Sequence, residues 1–470
     1  SSASSSQLEV ATLALLPGDD EGEGEDISFH SDDSDLPSDI EAGDVCTAAN
    51  IRTEAAWLLR TSFPIVLSTM SQLFLMLPIL AAVGKLGTVA LASMNLVSIY
   101  AGLGGIAPLS GMAMALDSLC SQAYTAAAKD RRLLGVYLQR VLVCMTLILA
   151  FVYPLWWNSA LIYEYLGVPA EVASVTDKLL RLYFFGIAAV VTYECLKSYL
   201  FAQGVRRFAV VAQAVCLPVG WFSTWLLISN ESTSMGILGV PCVIIIVGVG
   251  FNIVALAHMR RIESSRQCWG GWSRAALSDL RPVLKLGLAG SAISFFESVS
   301  LHMIDVGSLF LSPEYMAAQA VLSMLLTSTW VIGMGFAIAA CNRVGNLLGS
   351  RQPHRTHLAV NTALVLALAG FAILGAAVFC CRSVLPAVFT KDPVVADILR
   401  THIAWSAGAG ALQGINATLN GILRGQGRQA LVAKIRIASF VCVGIPLAVL
   451  VVAVLEWRLA GLWLAYVASL

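Results

Sequence analysis

From residue 55 onward, apolar residues recur in runs that are free or nearly free of charge. They cover 61–83, 86–116, 133–157, 179–203, 208–229, 235–257, 283–306, 315–342, 358–381, 395–423 and 437–455, and a twelfth begins at Leu459. A bilayer core of about 30 Å is crossed by roughly 20 apolar residues in a helix, which satisfies its own backbone hydrogen bonds in lipid. The pattern therefore predicts an all-α integral membrane protein of twelve transmembrane helices, eleven complete and the last truncated at Leu470. Residues 17–44 read differently. They hold few large apolar side chains among dense negative charge, which predicts a disordered acidic tail over 1–50. Ser31, Ser34 and Ser38 sit among those acids in a context suited to acidophilic phosphorylation. No cleavable leader is expected, because Glu9 follows a polar start, and the first membrane helix should serve as its own insertion signal.

Composition agrees: 58% of the 470 residues are hydrophobic and 12% charged, half the charge of an average soluble domain. The formal net charge of zero hides a division. Residues 1–54 carry 14 acidic side chains against Arg52 alone, and the remainder carries 15 against 28 basic ones. Loops after even-numbered runs hold 15 basic residues: Lys129, Arg131, Arg132, Arg206, Arg207, Arg260, Arg261, Arg266, Arg274, Arg281, Arg351, Arg355, Arg428, Lys434 and Arg436. Loops after odd runs hold only Lys85, Arg382, Lys391 and Arg458. The positive-inside rule places the even loops and the amino terminus in the cytoplasm, with plasma and vacuolar membranes both open. The eleven cysteines show no metal-ligand spacing and read as buried free thiols.

The two halves echo each other. Asp117 aligns with Asn342 at an offset of 225, and Leu200-Phe201-Ala202-Gln203-Gly204 aligns with Leu423-Arg424-Gly425-Gln426-Gly427 at 223. An even number of helices per repeat preserves orientation, so this is a parallel repeat about an axis along the membrane normal. It predicts an N-lobe over 51–260, a cytoplasmic linker over 261–281 and a C-lobe over 282–470. Two six-helix lobes around a central cleft point to a transporter of small solutes, expected to work as a monomer in the bilayer. No phosphate-binding loop of the G-x-x-x-x-G-K-[ST] type is present, so a primary pump is not expected. Neither paired acids, HExxH nor a Ser/His set lies at membrane depth, so no enzyme, cofactor, metal or nucleic-acid partner is expected. A lipid-linked oligosaccharide flippase, a major facilitator, or a scaffold recruiting partners through the tail stay open at this point.

Four motifs carry a family resemblance: Met114-Ala115-Leu116-Asp117-Ser118-Leu119-Cys120-Ser121-Gln122-Ala123, the Leu200–Gly204 segment, Arg343-Val344-Gly345-Asn346, and the Leu423–Gly427 segment. In this order and at this repeat length, the chain resembles the multidrug and toxic compound extrusion (MATE) family in its eukaryotic form, from about residue 55 to 470. The resemblance implies a two-lobed antiporter that expels organic solutes using a proton or sodium gradient.

A charge at mid-bilayer costs at least about 2.5–3.5 kcal/mol and needs a reason. Glu297 lies deep in the seventh run with no opposite charge within one helical turn, and a carboxyl so placed can bind and release a proton. The resemblance implies that a glutamate here is essential for coupling. Many relatives carry a second acid five residues on, where this chain has His302, a candidate proton carrier or a hydrogen-bonded structural residue. Relatives place an acid on the tenth span where this chain has Gln413, and some add an eighth-span acid where it has Met324. The first-span aspartate of bacterial relatives corresponds to Ile79. Gln72 is the repeat counterpart of Glu297, and Glu194 stands one turn from Lys197, which can pair with it. Gln72, Glu194 and Gln413 are thus candidates for the substrate cavity. Asp117, Asn342 and Arg343 are read as capping or gating the inner span ends. Asp305, near an outer end, needs no functional role. The glycines at 102, 104, 105 and 111 with Pro108 make the second span the one expected to bend, and Trp156, Trp157, Trp457 and Trp463 read as an interfacial belt.

Overall fold

A computed structural model describes residues 47–126, 131–165, 167–308, 310–390, 392–451 and 458–470. The acidic tail and its serines, Trp457 and the Lys129–Asp130 pair lie outside the described residues.

The apolar runs become twelve helices. The first half contributes α1 (Ala48–Lys85), α2 (Thr88–Ala126), α3 (Leu133–Trp157), α4 (Ala170–Ala202), α5 (Arg207–Ser229) and α6 (Gly236–Arg261). The second contributes α7 (Arg281–Ser308), α8 (Pro313–Gly349), α9 (Pro353–Cys380), α10 (Pro393–Gly425), α11 (Gln429–Val449) and α12 (Arg458–Ser469). Ten are long and apolar enough to span a bilayer. The exceptions are the short α12 and α10, whose 33 residues include Gln413, Asn416, Asn420 and Arg424. Proline opens α8, α9 and α10, where its missing N–H costs nothing. The Asp392 carboxylate accepts from the Val394 N–H at 2.8 Å as a cap.

The internal repeat is visible in the backbone. Gly204 and Gly427 both adopt left-handed φ angles, 76° and 72°. Each ends a helix with the same pair of bonds: Val205 N–H to Leu200 C=O and Gly204 to Phe201, against Arg428 to Leu423 and Gly427 to Arg424. Glycine is the residue that reaches this conformation without strain. Packing obeys the same symmetry. The repeat exchanges α1 with α7 and α2 with α8, and both α2–α7 and α1–α8 are extensive contacts, with α2–α8 on the axis. One large apolar cluster gathers the first half, while the second half forms smaller ones, so the architecture is two six-helix lobes meeting along α1, α2, α7 and α8.

That seam is tight enough for backbone to meet backbone. A Cβ added at Gly111 of α2 would lie 2.3 Å from the Gly290 oxygen of α7, and one at Gly290 would lie 2.2 Å from the Gly111 oxygen. Beside them Ser291 donates to the Pro108 carbonyl at 2.6 Å. As the glycines predict, α2 is interrupted, by a π turn over Gly102–Ile106, and further π turns break α5 at Trp225–Ser229 and α11 at Phe440–Gly444.

Three expectations are corrected. Trp156 and Trp463 are buried rather than interfacial. Trp156 lies against Gly104 and Gly105, and Trp463 donates to Gln319 at 3.1 Å; Trp157 is exposed. Not all thiols are buried, since Cys380, Cys381 and Cys442 face outward. Arg436, counted above as a loop charge, is inside α11 and only 4% exposed.

Gly111→Leu or Gly290→Val should wedge the lobes apart, costing about 1–3 kcal/mol, whereas Gly84→Ala, with nothing within 4 Å of its Cβ, should be neutral. Thermal unfolding of the purified variants measures the difference.

Candidate functional site

The buried polar groups fall into separate clusters. In the C-lobe, Glu297 of α7 is 9% exposed and is held from two other helices. Trp330 of α8 donates its indole N–H to Glu297 Oε1 at 2.9 Å, and Gln413 of α10 donates to the same oxygen at 2.7 Å. Two sequence candidates, Glu297 and Gln413, are thereby brought together. Trp330 was missed; its signal is a lone tryptophan in the middle of an apolar run, carrying a donor that needs an acceptor when buried. The amide of Gln413 suits both protonation states of the acid. Its NH₂ donates to a carboxylate, and its Oε1, buried without a partner among the described residues, accepts from a protonated carboxyl once the amide turns.

His302 is not part of this cluster. Five residues from Glu297 it falls on another face of α7, 37% exposed, with Nδ1 3.7 Å from Asp305. Asp305, expected to be idle, accepts from Ser323 at 2.7 Å and from Gln319 at 3.1 Å, and Gln319 in turn accepts from Trp463. This chain ties α7, α8 and α12 together and forms a distinct polar network. Met324 is exposed, and Ile79 is buried in the first-half core.

In the N-lobe the Glu194–Lys197 pair is present, with Lys197 buried, and Gln72 is half-buried on α1; neither Gln72 nor Glu194 is a partner of Glu297. Lys197 also acts electrostatically on Asp117, whose direct partner is Arg424 of α10 at 3.3 Å. This ion pair crosses between lobes. Around it Ser118 donates to the Arg424 carbonyl at 2.6 Å, Gln122 to the Gly425 carbonyl at 2.8 Å, and Thr125 to the Asn346 carbonyl at 2.7 Å. Gln429 returns a donor to the Met114 carbonyl at 3.0 Å and to the Ser118 hydroxyl at 2.8 Å. Asn342, the repeat counterpart of Asp117, is fully buried on α8, and both its side-chain polar atoms are without a partner among the described residues.

A second charged bridge joins the lobes at the same end. Arg343 of α8 grips Glu54 of α1 through two parallel bonds of 2.7 and 2.8 Å, a geometry only arginine provides. The Trp57 ring stacks against both Arg343 and Arg206, at 4.3 and 4.9 Å. Glu54 had been counted with the acidic tail, yet it is 1% exposed. Both bridges and the backbone-directed bonds lie where the basic loops emerge, so the lobes are latched at that end. Among the described residues no group of three or more His, Cys, Asp or Glu side chains is placed to hold a metal ion.

Comparison with known proteins places this architecture. The MatE family model matches residues 64–226 and again 291–450, two blocks starting 227 residues apart, as the internal repeat requires. The chain is 25% identical over 450 residues to an uncharacterized transporter of Schizosaccharomyces pombe, covering 95% of this chain and 83% of that one. It is 26% identical over 426 residues to Protein DETOXIFICATION 16 of Arabidopsis thaliana, covering 90% and 86%. In fold it is similar to the eukaryotic MATE transporter AtDTX14, with a TM-score of 0.82 at 24% identity, covering 89% of this chain and 93% of that one. Members of this family are transporters, not enzymes. The chain belongs to the MatE family, as a multi-pass membrane transporter of its eukaryotic type.

Proposed function

We propose that the protein exports organic solutes in exchange for protons, by alternating access between its two lobes, with Glu297 as the coupling carboxyl. The observation that carries this reading is the Glu297 site itself, a buried acid held by the N–H donors of Trp330 and Gln413. A hard cation such as sodium calls for several oxygen ligands around it, whereas two N–H groups aimed at one carboxylate oxygen suit a group that exchanges a proton. With the basic loops taken as cytoplasmic, the latched end faces inward, and in this reading Glu297 takes its proton from the outer side. Proton uptake there discharges the lobe. Rearrangement then requires the Asp117–Arg424 and Glu54–Arg343 bridges to part, which exposes the cavity to the cytoplasm, where the proton leaves and a solute enters. Gln72, Glu194 and Gln413 are offered as cavity-lining residues, and Asp117, Asn342 and Arg343 as the gate. His302 has a local partner in Asp305 and is a weaker candidate for the proton path.

Two experiments check this reading. In proteoliposomes under an imposed pH gradient, Glu297→Gln should reduce gradient-driven flux of a panel of fluorescent organic solutes to the protein-free background. Gln413→Leu, which removes one donor worth about 1–3 kcal/mol to a charged group, should move the pH dependence of flux without abolishing it. Undiminished flux in Glu297→Gln would remove that residue from the mechanism. Thr125→Cys combined with Asn346→Cys places two thiols across the latch, and their oxidation should stop flux until a reductant restores it. Transport that continues through a formed disulfide would exclude opening at this end.

A further inference from the structure

Arg436 is the least explained charge in the molecule. It sits on the buried face of α11 with Val432 and Ala433, and both its terminal nitrogens lack a partner among the described residues. Leaving a guanidinium buried without a counter-charge costs several kcal/mol, so its position asks for an anion nearby.

The packing says which. Helices α7 and α11 enter from the same end and run in the same direction, in direct contact. Val432 and Ala433 of α11 share an apolar cluster with Ile293 of α7. One turn further along each helix in that common direction stand Arg436 and Glu297. Phe296, the residue before Glu297, and Phe440, one turn beyond Arg436, also meet, with ring centroids 5.8 Å apart, so the two helices stay in contact beside both charged residues. The Tyr466 hydroxyl of α12, also buried without a partner among the described residues, is acted on electrostatically by Glu297 and Arg436 alike.

Among the described residues, the other charges on the helices around Glu297 have partners of their own or are exposed. On α2, Asp117 is engaged by Arg424 of α10, and on α8 Arg343 is engaged by Glu54. On α7 itself His302 and Asp305 face each other and Lys285 is exposed, as is Lys434 on α11. α10 contributes the neutral Gln413 and α12 the neutral Tyr466.

We propose that Arg436 is the counter-charge of Glu297, a positioning residue that keeps the carboxylate form attainable in a dry lobe so that the acid can give up its proton as well as take one. The inference rests on Glu297 being the coupling group. Neutral donors stabilise a buried carboxylate, and a fixed positive charge beside it adds to that support, so that the proton is released more readily. A guanidinium holds its charge at every working pH, so it supplies a constant field without titrating itself.

The test is pH-difference infrared spectroscopy of the purified protein, following the protonated-carboxyl band that Glu297→Gln removes. Arg436→Gln and Arg436→Asn should each move the midpoint of that band upward by about one to two pH units, the effect of one unit charge on an adjoining helix at an effective dielectric near 20. Arg436→Lys should bring it back. The neutral pair guards against one variant failing to fold. A midpoint unmoved in the neutral variants, or the absence of any Glu297-dependent band across the accessible pH range, overturns the proposal. Gradient-driven flux that survives Glu297→Gln overturns the coupling reading instead, whatever Arg436 does to the band.

Discussion

An ionic group withdrawn from water must find its counter-charge within the protein, and that requirement organises the polar interior here. Along the seam it is met across the lobe boundary, by Asp117 with Arg424 and by Glu54 with Arg343. Each partner alone would strand a charge in low dielectric, so either bridge can break only when water or another charge takes the missing place. Under the alternating access proposed above, the lobes would have two well-defined relationships, joined and hydrated apart, and that bistability would arise from solvation.

The repeat gives the same physics a geometry. Because α1 and α2 exchange roles with α7 and α8, the contact of α2 with α7 is matched by that of α1 with α8, and the glycine crossing of α2 over α7 lets the two backbones touch. Symmetry holds in the frame and is broken in the chemistry. Glu297 faces Trp330 and Gln413 in one lobe while its counterpart Gln72 carries no charge, and Asp117 finds an arginine while Asn342 finds none. One frame thus supports one lobe with a deep acid and another with an uncharged amide in its place.

Much of this frame is legible in the sequence, because run length and helix-ending glycines report directly on what a bilayer permits. The eleven long helices, the repeat and the bend in α2 follow from such local signals. Glu297 is legible too, as a lone acid where acids are costly. The rest depends on partners far apart in the chain. Glu54 adjoins an acidic segment and Arg436 adjoins a basic loop, so charge counted along the sequence assigns both to solvent. Only packing reveals that Arg343, 289 residues away, claims the first and that the second is buried within α11. Trp463 and Trp156 mislead in the same way, since a tryptophan near a span end reads as interfacial until a neighbouring helix covers it.

The seam between the lobes has a feature that bears on how such proteins diverge. Ser118, Gln122, Thr125, Gln429 and Ser291 each send a bond to a main-chain carbonyl of the opposite lobe. A carbonyl acceptor is present whatever side chain its residue carries, so half of every such bond is immune to mutation. A lineage can replace the residues at 108, 114 and 346 one at a time without first losing these bonds. That tolerance fits a chain that keeps a common fold with relatives sharing only about a quarter of its residues, and it leaves selection free to rework the interior of each lobe for new solutes.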